Sequence, residues 1–319
     1  MKYQSARSLK TKILGQENVR AVAFATTKSL RVRQAKKRPV PPVAIGITGS
    51  KNKFKIAIRI QRHSPLMSAF IQDIGKLAKG EIDVNIIGNV HKQAIPWHQK
   101  TNRPLRIGGS IGHVDITAGT LGCFVTKDGS QDFVLSNNHV LANENNASKG
   151  DDIIQPGDAD GGVAPSARVG ELHDFVKLSK TAVNFTDCAI STIDEDTEYF
   201  FNHLKTLGEI KGVRTAPLDE GDIVFKVGRT TGVTKGKVTA IEVDQLKIGF
   251  DLGDLKFDNQ IEIGPIGSEP FSLGGDSGSL VLDSDLNAVG LLFAGNDVDA
   301  TFANPIQTVL DQLDVSLVF

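Results

Sequence analysis

The chain has 319 residues, a formal net charge of −1, 40% hydrophobic and 6% aromatic residues, and 32 glycines. That length suits about two domains with a sizeable core, and the glycine-rich, aromatic-poor balance fits a soluble, turn-rich β protein. No run is apolar enough to span a membrane, residues 1–7 lead into no secretory-type apolar segment, and Cys123 and Cys188 are the only cysteines, a usage that points to a reducing cytoplasm. Both thiols are expected to lie buried beside strands, with a bridge between them left open.

Residues 1–40 come first and read as a basic arm, eleven lysines and arginines against the single acid Glu17. Its densest part, Lys28 to Arg38, suits binding to nucleic acid or an acidic partner, yet no aromatics are interleaved to stack on bases. The plainer reading is a solvated extension. Residues 41–100 then read as a small α/β (β-β-α-β) domain. Val43–Ile47 and Phe54–Ile60 are strands joined by Ser50–Lys53, Ser64 to Leu77 is a helix with apolar residues at 67, 70, 71, 74 and 77, and Ile82–Ile87 is a third strand. The region has no glycine-rich phosphate loop. His91 and His98 have no acidic or cysteine company, so no metal site is expected there, and no cofactor is called for anywhere in the chain. Pro96 to Pro104 reads as a linker.

The chemistry lies downstream. Phe133-Val134-Leu135-Ser136-Asn137-Asn138-His139 is an apolar strand that breaks into small polar residues and then a histidine. Asn184-Phe185-Thr186-Asp187-Cys188-Ala189-Ile190 carries an aspartate into an apolar stretch. Ser272-Leu273-Gly274-Gly275-Asp276-Ser277-Gly278-Ser279 sets a serine between glycines just ahead of the strand Leu280-Val281. An attacking hydroxyl needs a base, the base needs an orienting acid, and flanking glycines let backbone N–H groups face the developing oxyanion. The order His139, Asp187, Ser277 excludes an α/β-hydrolase, in which histidine comes last; His203 is the last histidine here, and position 279 is serine where the G-x-S-x-G elbow needs glycine. A subtilisin order has Asp115, Asp128 and Asp132 to draw on, but the region lacks that fold's alternating strands and long helices. Asp174 and Asp194 remain alternatives to Asp187 as the acid.

Gly275-Asp276-Ser277-Gly278, the strand-ending His139 and the Asp187-Cys188-Ala189-Ile190 segment together resemble the chymotrypsin-like (trypsin-like) serine peptidases, over roughly residues 104–319. Gln155-Pro156-Gly157 with Asp160-Gly161-Gly162, and the run Val227-Gly228-Arg229-Thr230-Thr231-Gly232, are similar to a disulfide-free bacterial group distantly related to the plant Narrow Leaf proteins. The resemblance implies a mainly β fold of two six-stranded barrels with the site between them. It implies a catalytic triad of His139, Asp187 and Ser277, and an oxyanion hole from the N–H groups of Gly275 and Ser277. It also puts Phe271 at the base of the pocket for the side chain before the cut, which argues against a preference for Lys or Arg. Val289–Gly295 would pair with the substrate backbone, with Phe293 and Gly295 at the pocket. A small or apolar side chain at the cut follows, unless Phe271 and Phe293 are core aromatics.

The expectation is therefore a cytoplasmic serine endopeptidase acting on polypeptide, constitutively active or switched on by a protein partner, with the N-terminal module positioning or regulating it. A protease-shaped binding protein with a silent or latent site is the competing class. A nucleic-acid adaptor acting through the basic arm is the third.

Overall fold

A computed structural model describes residues 1–15, 43–61, 65–88, 90, 95–296 and 299–319. It divides into two compact units, Met1–Ala94 and Ile95–Phe319. Lys28 to Arg38 and His91 lie outside the described residues.

The first unit begins with a helix, α1 (Tyr3–Gly15), where an arm was expected. Ala6, Leu9 and Ile13 fall on one face at helical spacing, and that face is drawn into the core formed by Ile56, Ile58, Ile60, Met67, Phe70 and Ile74. Lys2, Arg7 and Lys12 are exposed and Lys10 is half-exposed, so the basic character of this segment is that of a solvated surface. Strands β1 (Val43–Thr48) and β2 (Lys55–Ile60) pair antiparallel. Helix α2 (Pro65–Leu77) then crosses over to β3 (Ile82–Ile86), which pairs parallel to β2.

The second unit starts earlier than expected. Residues 96–103 are not a linker: Trp97 packs against the core, His98 Nδ1 meets the Arg229 carbonyl at 2.5 Å, and the Asn102 N–H donates to Gln155 Oε1 at 2.9 Å. The first sheet contains β4 (Ser110–His113), β5 (Gly119–Thr120), β6 (Cys123–Lys127) and β7 (Gln131–Ser136). After a single-turn helix, α3 (Asn138–Leu141), come β8 (Asp152–Ile154), β9 (Arg168–Phe175) and β10 (Ala189–Ser191). The short strands β11 (His203–Leu204), β12 (Gly208–Glu209) and β13 (Gly212–Val213) lead into the second sheet. That sheet holds β14 (Ile223–Gly228) and β15 (Gly232–Val243), then, beyond a separate hairpin of β16 (Leu246–Phe250) and β17 (Gly253–Phe257), β18 (Gln260–Pro265), β19 (Leu280–Asp283), β20 (Asn287–Gly295) and β21 (Thr301–Pro305). Helix α4 (Ile306–Leu313) and β22 (Ser316–Leu317) return the chain to β6.

The second sheet closes on itself. Its order β20-β19-β14-β15-β18-β21 is completed by β20–β21 pairing, which makes a six-stranded barrel with no free edge. Its inward residues Val224, Val238, Ile261, Ile263, Phe271, Val281 and Val289 form one buried core. The first sheet, ordered β22-β6-β7-β10-β9-β8-β4-β5, stays open as a half-barrel. Between β5 and β6, Leu121 and Gly122 donate to Gly109 and Leu135 of the same sheet at 2.8 and 3.0 Å, while the Thr120 N–H donates to the Ser277 carbonyl at 2.8 Å. The open seam is thus fastened to the serine loop. The fold class is mainly β, a chymotrypsin-like double barrel, with one of its two rings incomplete in hydrogen bonding.

Candidate active site

His139 follows β7, whose buried Phe133, Val134 and Leu135 make its path rigid. The strand stops at Asn137, which is extended at φ −79°, ψ 158° and whose carbonyl receives the N–H of Val140 and Leu141, so the chain turns at once into α3. The turn puts the imidazole at the mouth of the cleft. Asp187 precedes β10 and is fully buried. Its Oδ2 lies 2.5 Å from His139 Nδ1 and its Oδ1 accepts the His139 N–H at 3.1 Å. A carboxylate bonded to both ring and backbone of one residue fixes that ring's orientation and leaves Nε2 as the free nitrogen. Burial by itself would lower the His139 pKa, but the Asp187 charge and hydrogen bond, with a smaller contribution from Glu144, raise it above the ordinary value.

Asp187 is itself held across the barrels. Its N–H donates to Asn304 Oδ1 at 3.0 Å, and Asn304 Nδ2 donates to Gln260 Oε1 at 2.7 Å. The alternative acids are engaged elsewhere, Asp174 with Lys149 at 2.8 Å and Asp194 with Arg168 at 3.4 Å.

Ser277 lies on the loop from β18 to β19. Gly278 beside it has φ +92°, and a Cβ there would sit 2.1 Å from Ser136 Oγ and 2.3 Å from the Thr120 carbonyl, so only glycine lets the loop lie against the first barrel. Ser277 and His139 line one cavity of about 300 Å³, together with Glu144, Ile248, Phe250, Ser272 and Phe293–Gly295. Among the described residues no hydrogen bond joins the Ser277 hydroxyl to His139. It points instead to the Phe293 carbonyl at 3.5 Å.

The backbone around the serine is more fully set. Asp276 N–H donates to the Leu273 carbonyl at 3.0 Å, closing a turn in which Gly275 has φ +93°. Thr230 Oγ1 donates to the Gly274 carbonyl at 2.7 Å, so the Gly275 N–H of that trans peptide points the opposite way. Among the described residues, the N–H groups of Gly275 and Ser277 donate to no protein acceptor.

Asp276, beside Ser277, is fully buried and saturated. Its Oδ1 accepts the N–H of Thr230 and Thr231 at 2.8 and 3.1 Å; its Oδ2 accepts Thr231 Oγ1 at 2.7 Å and Leu273 N–H at 3.0 Å. The countercharge is Lys226 Nζ at 3.2 Å, also fully buried. Burial pulls the Lys226 pKa below its ordinary value, against the opposing influence of Asp276. Three residues after Lys226, Arg229 forks onto Asp160 with two hydrogen bonds of 2.7 Å, joining the barrels beneath the serine loop. The two glycine-rich motifs of the sequence therefore meet each other in space and support this loop.

Phe271 departs from expectation. It is 2% exposed, packs in the core of the closed barrel, and does not line the cavity. The neighbouring Ser272 does, its Oγ 2.7 Å from Thr301 Oγ1. Phe293 contributes to the cavity wall while its ring packs on Phe257 at 4.8 Å, and Gly295 also lines the cavity. Cys123 and Cys188 are buried and unpaired; burial raises both thiols, Cys188 to about 12, so neither serves as a nucleophile near neutral pH. Sequence reading missed Glu144, Lys226, Thr230, Gln260 and Asn304. Only Thr230 carried a signal, through the motif around it.

No protein-family model matches the chain, and no curated protein matches it. Similar folds occur among solved structures. A glutamic acid-specific serine protease, described as using a histidine triad in substrate binding, is 20% identical with a TM-score of 0.47, over 67% of this chain and 100% of its own. Thermobifida fusca Protease A is 17% identical with a TM-score of 0.47, over 67% and 99%. An alpha-lytic protease homolog, N4, is 18% identical with a TM-score of 0.48, over the same shares. By its own strand order and barrel closure, the second unit has the chymotrypsin-like double-barrel fold, with His139, Asp187 and Ser277 brought to one cleft between the barrels.

Proposed function

We propose that the protein is a serine endopeptidase that cleaves peptide bonds through an acyl-enzyme. The observation that carries this reading is that an imidazole tied to a buried carboxylate and the Ser277 hydroxyl line one cavity, next to two backbone N–H groups that have no acceptor among the described residues. In the reaction His139 Nε2 takes the proton from Ser277 Oγ as the Oγ–C bond forms. The carbonyl electron pair moves to oxygen, where the Gly275 and Ser277 N–H groups receive it. Collapse breaks the C–N bond, and His139 gives its proton to the leaving amine. Water then repeats the sequence to free Ser277. Asp187 stays ionised and steadies the imidazolium.

The cavity's apolar wall is Ile248, Phe250, Leu273, Leu292, Phe293 and Ala294, with the Ser272 hydroxyl and the Glu144 carboxylate as polar points. This supports a small or apolar side chain at the cut. Two buried, unpaired thiols favour a reducing compartment such as the cytoplasm. Among the described residues no helix is long and apolar enough to cross a membrane.

One observation favours a second reading, a latent site: Ser277 Oγ faces the Phe293 carbonyl rather than His139. Activity then requires the serine to rotate onto Nε2, on substrate binding or through an activating partner. Incubation with an unfolded protein substrate, followed by mass spectrometry of the products, tests the two. Internal cleavage by the protein and none by Ser277→Ala supports the peptidase; no cleavage by either supports latency.

A further inference from the structure

The β16–β17 hairpin belongs to neither barrel sheet, yet it forms one wall of the cavity through Ile248 and Phe250. It is fastened at both ends by loops of the first barrel. At its base, the Asn184 N–H donates to the Lys256 carbonyl and the Asp258 N–H to the Asn184 carbonyl, at 2.9 and 3.0 Å. At its tip, the N–H of Asp251 and of Leu252 donate to the two carboxylate oxygens of Glu144, at 3.1 and 2.7 Å.

The segment that presents Glu144 is unusual. Asn143, Glu144 and Asn145 have φ of 46°, 52° and 70° in succession, a left-handed path that costs energy at every residue bearing a Cβ. Side-chain bonds hold it there. Asn145 N–H donates to Asn138 Oδ1, Asn138 Nδ2 donates to Asn145 Oδ1, and Asn145 Nδ2 donates to the Leu178 carbonyl, at 3.1, 2.9 and 2.9 Å. Asn138 is the residue before His139, so the strained turn and the catalytic imidazole share one anchor. Phe250, on the clasped hairpin, stands edge-on to the His139 ring with centroids 6.0 Å apart.

We propose that Glu144 is a positioning residue of this site: it clasps the hairpin across the cleft, and so holds Phe250 and Ile248 as the wall against which the substrate chain lies beside His139. The proposal rests on the peptidase reading for its catalytic consequence, but not for the clasp itself. A carboxylate suits the task because its two oxygens meet two successive N–H groups at a hairpin tip. Glutamine offers one acceptor and an NH₂ that opposes the other N–H.

Amide hydrogen exchange and peptide kinetics of the full chain test it together. In Glu144→Ala, the Asp251 and Leu252 amides exchange about tenfold faster or more, and KM for an unfolded peptide rises about tenfold while kcat stays within about threefold. Glu144→Gln is intermediate in both. Phe250→Ala raises KM alike, and the double variant is no worse than Phe250→Ala alone, because both act through one wall. Unchanged exchange at Asp251 and Leu252 in Glu144→Ala overturns the clasp. Faster exchange with KM unchanged, or with the loss confined to kcat, overturns its role in holding substrate. If the unaltered protein neither cleaves peptides nor reacts at Ser277, the peptidase reading fails, and the exchange result still decides whether the clasp exists.

Discussion

On the histidine side of the cleft the side chains are already joined: His139 and Asp187 meet at 2.5 Å, with a second bond from the His139 backbone. On the serine side the backbone is set while the side chain is not, since Ser277 Oγ lies 3.5 Å from a carbonyl and has no bond to His139. The two sides also differ in what supports them. Asp187 is held by neutral amides, Asn304 and Gln260. Asp276 is held by a buried lysine and two threonines. In the proposed reaction a base must keep one orientation throughout, whereas a nucleophile must move as it attacks. The fold holds the imidazole fixed, and on the serine side it holds the backbone rather than the side chain.

The largest effect that breaks this contrast is loss of the base. His139→Ala lowers kcat by roughly 10⁶, as removal of either reacting partner of a triad does, with the fold kept as judged by circular dichroism. Asp187→Asn keeps the shape but releases the tautomer, for a loss of about 10⁴ in kcat. On the serine side the first effect is on stability. Lys226→Met leaves Asp276 buried without a countercharge, and urea titration reads a loss of about 3–5 kcal/mol. Thr230→Val frees the Gly274 carbonyl and lets the Gly275 N–H wander. Its expected cost in kcat is about tenfold with KM unchanged, below the 10²–10³ of losing an oxyanion donor outright.

The smallest effect concerns pH. Because His139 titrates above its ordinary value, the peptidase rate rises with pH through a midpoint above about 6.5. A group whose folded pKa is raised stabilises the fold below its unfolded pKa, and that stabilisation is lost as pH climbs through the folded one. The charged imidazole that steadies the fold is thus the inactive form, and stability falls slightly over the pH range in which rate appears. A midpoint at or below about 6.5 in the unaltered protein contradicts the assigned coupling to Asp187.

The three residues that meet at the cleft were legible in the sequence because each sits where a regular pattern breaks: His139 where an apolar strand ends in asparagines, Asp187 where one begins, Ser277 among glycines. What supports them was hidden, because it is long-range. Lys226 lies fifty residues before Asp276, and on its strand it looks like an ordinary surface lysine, although burial and pairing make it part of the core. Glu144 sits in a polar stretch with no periodicity, and only the left-handed path of its neighbours aims it at the hairpin. Phe271 was misjudged for a similar reason. Where a loop enters a barrel, one residue decides between core and cleft, and the large aromatic took the core while Ser272 took the cleft. In the amino-terminal segment, charge concealed the fold: the only charged residues of 1–15 are the basic Lys2, Arg7, Lys10 and Lys12, while the sparse Ala6, Leu9 and Ile13 stripe is what makes a helix.

Reaction with a fluorophosphonate, read by intact mass on the unaltered protein and on Ser277→Ala, tests the central claim most directly, since the reagent needs an activated serine and an oxyanion hole but no particular substrate. A single adduct on the unaltered protein that is absent from Ser277→Ala is the predicted result. No adduct on a folded, unaltered protein contradicts it, and makes the serine side of this cleft a latent or silent site.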